Sequence, residues 1–175
     1  MRTTIFTILL IITLLSGCNN KNNNHKQVNQ DISDEQLIKI NKYLVEKDHE
    51  LINAYVKRRN WDCKVTGSGL WYMIYENGTG KMAAEGNIAE IKYKVELLDG
   101  TLCYSSDKLG TKKFVIGKGN VEPGLEEGIL LLKEGDKARF IMPSYLAHHL
   151  TGDDNKIPAR AIIVYQVELL KISDN

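Results

Sequence analysis

The sequence predicts an α+β domain, in which several antiparallel strands wrap on one short helix, preceded by one long amphipathic helix. Three observations carry this prediction. The stretch from Ser33 to about Arg59 has apolar residues at helical spacing and contains neither proline nor glycine. The stretches Ile88 to Leu98 and Arg160 to Ile172 alternate apolar and polar residues. The stretch Val121 to Leu170 holds all three prolines of the chain and ends in the second of those alternating runs.

Ser33, followed by Asp34, Glu35 and Gln36, is a capping box, with acidic residues in the first turn where the helix dipole favours them. Leu37, Ile40, Leu44, Leu51 and Tyr55 then form an apolar stripe, with Asp48 as its one polar interruption. That stripe packs either on the domain behind it or on a second copy of itself, so a homodimer through this helix competes with packing in cis. Leu70 to Tyr75, bounded by glycines and by Asn77-Gly78, reads as a strand entering a turn. Ile88 to Leu98 sets Ile91, Tyr93, Val95 and Leu97 on one face and Glu90, Lys92, Lys94 and Glu96 on the other. Asp99-Gly100 is a hairpin dipeptide, and the chain returns through Thr101 to Ser106.

Leu109 to Thr111 reads as loop, Phe114 to Ile116 as a short strand and Gly117 to Gly119 as a break. Leu125 to Leu132, behind Pro123-Gly124, is a short helix. Lys137 to Met142 is a strand ended by Pro143. In the last strand Ile163, Tyr165, Val167 and Leu169 face one way.

Residues 1–17 are read as a signal peptide. Arg2 supplies the positive start, and the apolar run from Ile5 to Leu15 is too short to span a membrane stably. Leu15-Ser16-Gly17-Cys18 resembles the lipobox of bacterial lipoproteins, in which the cysteine is acylated and becomes the mature N-terminus. That resemblance implies lipidation of Cys18, membrane attachment through the lipid anchor and a place outside the cytoplasm. Asn19 and Asn20 after the cysteine lean, by analogy with lipoprotein sorting, toward an outer membrane, with the domain facing the periplasm. Residues 18–32 are almost wholly polar and read as a flexible tether, in which His25 is a solvated residue. Residues 33–60 are then a helical extension and 61–175 one domain.

With Arg2 removed, 23 basic residues become 22 against 22 acidic ones, so the mature chain is formally neutral and nothing favours nucleic acid as a partner. Cys63 and Cys103 are the remaining thiols. They are expected to be buried and free, with a bridge between them as the alternative.

Tyr93 to Leu98, Asp99-Gly100, Tyr104-Ser105-Ser106, Phe114, Gly117, Val121, Pro123-Gly124-Leu125-Glu126-Glu127-Gly128, Gly135, Pro143, Leu146-Ala147, Ile157-Pro158 and Val167-Glu168-Leu169-Leu170 follow in this order. That series resembles the FKBP family of peptidyl-prolyl cis/trans isomerases, over roughly Leu70 to Ile172. The helix and lipobox ahead of it resemble isomerase lipoproteins of Bacteroidetes, including those associated with gliding motility. The resemblance implies an FKBP-like twisted antiparallel sheet, no cofactor, no metal, and clients that are proline-containing polypeptides.

The chemistry it implies is rotation about an X-Pro bond, slow because amide resonance sets a barrier of about 18 to 20 kcal/mol. The twisted transition state loses that resonance and its carbonyl is less dipolar, so an apolar, water-poor pocket favours it over the planar amide. Carried over by position, Tyr93, Phe114, Val121, Ile157 and Tyr165 would line the pocket. Leu125 stands where a tryptophan commonly forms the floor. Glu122 falls where the family usually has an isoleucine whose backbone N–H bonds a substrate carbonyl. Tyr104 replaces an aspartate, and Cys103 stands at the neighbouring aromatic position. His148 replaces the tyrosine of a Leu-Ala-Tyr-Gly turn and can still donate a hydrogen bond, with His149 where glycine is expected. His148, His149, Asp153 and Asp154 are metal-ligand types on one loop, but they lack a recognised ligand spacing and are not read as a metal site.

Two functions follow from the resemblance. One is an isomerase acting on secreted or surface proteins, with activity retuned by these substitutions. The alternative is a weak or inactive chaperone or scaffold that binds apolar or proline-containing segments at the membrane.

Overall fold

A computed structural model describes residues 33–175. The expected signal peptide, Cys18 and the expected tether with His25 lie outside the described residues. Helix α1 runs Asp34–Arg59, starting directly after Ser33, with Lys57, Arg58 and Arg59 in its last turn, where cations suit the dipole. The strands are β1 (Lys64–Val65), β2 (Trp71–Glu76), β3 (Ile88–Leu97), β4 (Leu102–Ser105), β5 (Lys112–Val115), β6 (Lys137–Met142) and β7 (Ile163–Ser173). Between them lie α2 (Ser106–Leu109), α3 (Pro123–Ile129) and a 3₁₀ turn at Ser144–Leu146.

All strands join one antiparallel sheet in the order β1-β2-β6-β7-β3-β4, with β5 also paired to β3. The edge of β3 is shared: its first half pairs with β5, from Ile88 against Val115 to Ile91 against Lys112, and its second half with β4. That split lets the chain leave the sheet between β4 and β5 and brings Lys112 beside Tyr93, with Phe114 further along β3 opposite Ala89.

The pleat divides the apolar residues between two cores. On one face Ile91, Tyr93, Val95, Phe140, Met142, Tyr165 and Val167 meet Leu125 and Ile129 of α3. Gly128 permits that contact, since a Cβ there would lie 2.7 Å from ring carbons of Phe140. On the other face Ile141, Ile162 and Val164 receive Ile52, Tyr55 and Val56 of α1.

The expected stripe of α1 is therefore corrected. Leu37 (44 %), Ile40 (46 %) and Leu51 (44 %) stand largely exposed, and the packed residues of the second half are Asp48, Ile52, Tyr55 and Val56. The sheet offers apolar surface only beneath that second half. Asp48 is no interruption but an anchor, because its partners lie in the domain.

Several boundaries also shift. Helix α3 starts at Pro123, as the Glu122 carbonyl accepts the N–H groups of Leu125 and Glu126. It ends at Ile129 because Leu131 and Leu132 fold back to Gly128 and Ile129 in a tightened last turn. Strand β5 takes in Lys112 and stops before Ile116, whose N–H bonds Asn87 instead. Strand β7 starts at Ile163 because Arg160 has φ 58° and Ala161 turns back to Pro158. The segment read as loop at Leu109 belongs to α2, and α2, β1 and the 3₁₀ turn are too short to show a period. Cys63 and Cys103 are free; Cys103 is buried and Cys63 only partly so.

Candidate functional site

The β5–α3 loop and the segment after the 3₁₀ turn face each other across a cleft of about 460 Å³, lined by Lys112, Gly119, Asn120, Val121, Glu122, Pro123, Ala147, His148, His149 and Gly152. The first wall is held by Glu126, whose carboxylate accepts the N–H groups of Gly117 (3.1 Å) and Gly119 (2.8 Å). Both glycines have positive φ, 81° and 67°, which a side chain rarely adopts. The second wall is tied at its root, where His149 N–H donates to the Ser144 carbonyl and Arg160 N–H to that of His149.

Val121, Glu122 and His148 line this cleft. Tyr93, Phe114, Leu125, Ile157 and Tyr165 lie buried beneath it in the main core. The two tyrosines form a wall, their ring centroids 6.2 Å apart and tilted by 36°. Tyr165 is only 1 % exposed. The Tyr165 hydroxyl donates to Glu122 Oε1 at 2.8 Å. Lys112 Nζ adds a donor to the Tyr165 oxygen at 3.3 Å and stands 5.0 Å from the Tyr93 ring centroid and 5.8 Å from that of Tyr165. The site is thus an aromatic wall with a carboxylate laid across it.

Burial, then the charge and hydrogen bond of Glu122, push the Tyr165 phenol well above its ordinary range. Burial and the Glu122 charge also raise Tyr93 above its ordinary value. Both hydroxyls therefore stay protonated, and Tyr165 remains a donor across the ordinary pH range. His148 Nε2 lies 3.3 Å from Glu122 Oε1, but the two are not aligned for a hydrogen bond.

Cys103 and Tyr104 are set apart from the cleft and border a second hollow of about 210 Å³ with Lys108, Leu109, Asn155 and Lys156. The Tyr104 hydroxyl donates to Asp153 Oδ2. Asp153 Oδ1 accepts the N–H groups of Ile157 (2.7 Å) and Asn155 (3.0 Å). Where the family resemblance implies an acid on the strand, this chain has a phenol on the strand and an acid on the facing loop. Burial alone would raise the Asp153 carboxyl; the bonds from Tyr104, Ile157 and Asn155 outweigh it and hold it below the usual range. Asp154 and His149 are each exposed with positive φ, and of the two only His149 borders the cleft.

Sequence reasoning missed Lys112, Glu126 and the structural use of Asp153. Lys112 shares a strand face with Phe114 at spacing two, and Gly152-Asp153-Asp154-Asn155 has the composition of a side-chain-capped turn, so two of the three carried a readable signal.

The family model described as "FKBP-type peptidyl-prolyl cis-trans isomerase" matches residues 80–170, more than half of the chain. The chain is 39% identical over 109 residues to a probable FKBP-type peptidyl-prolyl cis-trans isomerase FkpA of Neisseria meningitidis, covering 62% of this chain and 40% of that protein. It is 36% identical over 126 residues to the FkpA of Aeromonas hydrophila, covering 72% and 46%. The chain thus spans under half the length of these curated relatives. The crystal structure of FkpA from Escherichia coli matches with a TM-score of 0.65 at 26% identity, over 79% of this chain and 65% of that one. The crystal structure of AtFKBP13 matches at 0.61 and 26% identity, over 63% and 98%.

Proposed function

Because this chain belongs to the FKBP-type peptidyl-prolyl cis-trans isomerase family, we propose that it speeds rotation about X-Pro bonds of polypeptides in the cleft above Tyr93 and Tyr165. The observation that carries the reading is this aromatic wall, backed by Phe114, Leu125 and Ile157, beneath a cleft of about 460 Å³ and separated from it by the Glu122 side chain. A proline ring on that wall leaves its amide in a water-poor place, where the less dipolar twisted form is favoured. Glu122 must turn aside from Tyr165 to admit the ring, and its carboxylate then faces the residue beside the proline. Its main-chain N–H then serves as a donor to a substrate carbonyl, Val121 and His148 border the bound segment, and Tyr104 acts through Asp153 on Ile157. Cys103 contributes packing only. No step needs a nucleophile or a metal.

The carboxylate across the wall favours a second reading, a weak isomerase that mainly binds proline-containing or apolar segments. A protease-coupled prolyl isomerisation assay on the chain from Asp31 decides between them. Acceleration over the uncatalysed rate supports the enzyme, whereas a folded protein without acceleration leaves the binder.

We assign the same chain a lipid anchor at Cys18, from the lipobox resemblance, which places the domain outside the cytoplasm at a membrane, an outer one by the residues that follow. Among the described residues no helix is long and apolar enough to cross a membrane. Metabolic labelling with a fatty acid, lost in Cys18→Ser, tests it. The exposed Leu37, Ile38, Ile40 and Tyr43 support a homodimer through the first half of α1. Light scattering on chains with and without residues 33–46 tests that assembly while sparing the packed second half.

A further inference from the structure

We propose that the Glu122 carboxylate makes the cleft selective for prolines flanked by a basic residue, whose ammonium or guanidinium it takes; this rests on the isomerase reading above. The Glu122 side chain is nine-tenths buried (10 % exposed) and lines the cleft at the start of α3. It is also short of donors. An ionised carboxylate offers about four lone-pair sites, yet Glu122 accepts one hydrogen bond, from Tyr165. Its Oε2 is buried without a hydrogen-bond partner. Lys112 Nζ stands 3.9 Å from that oxygen, an ion-pair distance too long for a hydrogen bond.

The position of Lys112 shows which chemistry the place accepts. Its ammonium stands 3.9 Å from the carboxylate and 5.0 Å or more from the Tyr93 and Tyr165 ring centroids, so the space beside Glu122 already holds a cation while the ring faces are left to the proline. Lys112 reaches it as a 29 % exposed side chain, so it can give way to a client's cation by turning into water. An apolar flank would leave Oε2 unpartnered behind it, and an acidic flank would add a like charge beside a poorly solvated one. A general attraction for cations is not at work, since the whole chain carries a formal charge of +1.

The test is the affinity of the full chain for fluorescent peptides that differ only in the residue before or after one proline: lysine, leucine or glutamate. Lysine is expected to bind roughly tenfold more tightly than leucine, the worth of one charge-assisted hydrogen bond, and glutamate most weakly. In Glu122→Gln, which keeps the size and removes the charge, the lysine-to-leucine ratio should fall to about one. Equal affinities in the natural chain, no binding of any peptide, or a lysine preference that survives in Glu122→Gln would each overturn the proposal. Isomerisation of the same peptides is followed in parallel. If none is accelerated while the order of affinities holds, the isomerase reading fails and the cation selectivity stands.

Discussion

Asp48 of helix α1 reaches across to Ser144, accepting its N–H at 3.0 Å and its hydroxyl at 2.6 Å through one carboxylate oxygen, while the other lies 3.4 Å from Arg160 Nη2. Ser144 opens the 3₁₀ turn that leads into His148, and Arg160 closes the loop that carries Asp153 and Ile157. One residue of the N-terminal helix therefore grips both ends of the segment that walls the cleft.

Asp48→Ala should cost about 2 to 3 kcal/mol, because it strands two buried donors of Ser144. The Arg160 contact adds little to that figure, its side chain being 34 % exposed. Urea unfolding measures it. A loss below about 0.5 kcal/mol would mean that the helix does not hold the loop.

Glu122→Ile should raise kcat/KM on a leucine-proline peptide roughly tenfold, since the ring no longer displaces a charged acceptor from Tyr165. A fall in kcat/KM, with the fold intact by circular dichroism, would show that the carboxylate helps rather than hinders an apolar substrate.

Tyr104→Phe should loosen Ile157 and lower kcat/KM, with a stability cost of about 1 kcal/mol for one hydrogen bond. It should also raise the Asp153 carboxyl, which an NMR titration reads directly. In the natural chain that carboxyl lies below its ordinary value of 3.8, so the folded state takes up this proton less readily than the unfolded one. The stabilisation is present in full above about pH 4 and is lost as the pH falls through the folded value. An acid-unfolding midpoint identical in Tyr104→Phe would count against the tie.

Burial, with help from Asp62, pushes the Cys63 thiol up to about 11, and burial raises Cys103 as well. In the chain from Asp31, a disulfide-exchange reagent at pH 8 should therefore react slowly with Cys63, and with Cys103 only as the protein unfolds. Both thiols should titrate in urea without reductant. Recovery of none would mean that the two form a bridge.

Most of the strand order was legible, because alternation and turn dipeptides are local signals. Ile91, Tyr93, Val95 and the residues opposite them in β7 announce their face by period alone. Motif order singled out Tyr93, Tyr165 and Glu122 as residues to watch, but not the hydrogen bond that joins Tyr165 to Glu122. The first helix was legible as a helix but not in its contacts, since periodicity names a stripe without saying how far along it a partner extends.

What the sequence by itself determined is the alternation of β3 and β7, the helix ahead of them, and the set of side chains available to the cleft. Only the tertiary structure decided what the charged ones do. Asp48 is buried because Ser144 and Arg160 arrive from 96 and 112 residues away, and Glu122 lies over the wall because Tyr165 meets it from 43 residues away. A period is written in neighbours a few residues apart. The position of a buried charge depends on partners brought together by chain closure, which no local pattern records.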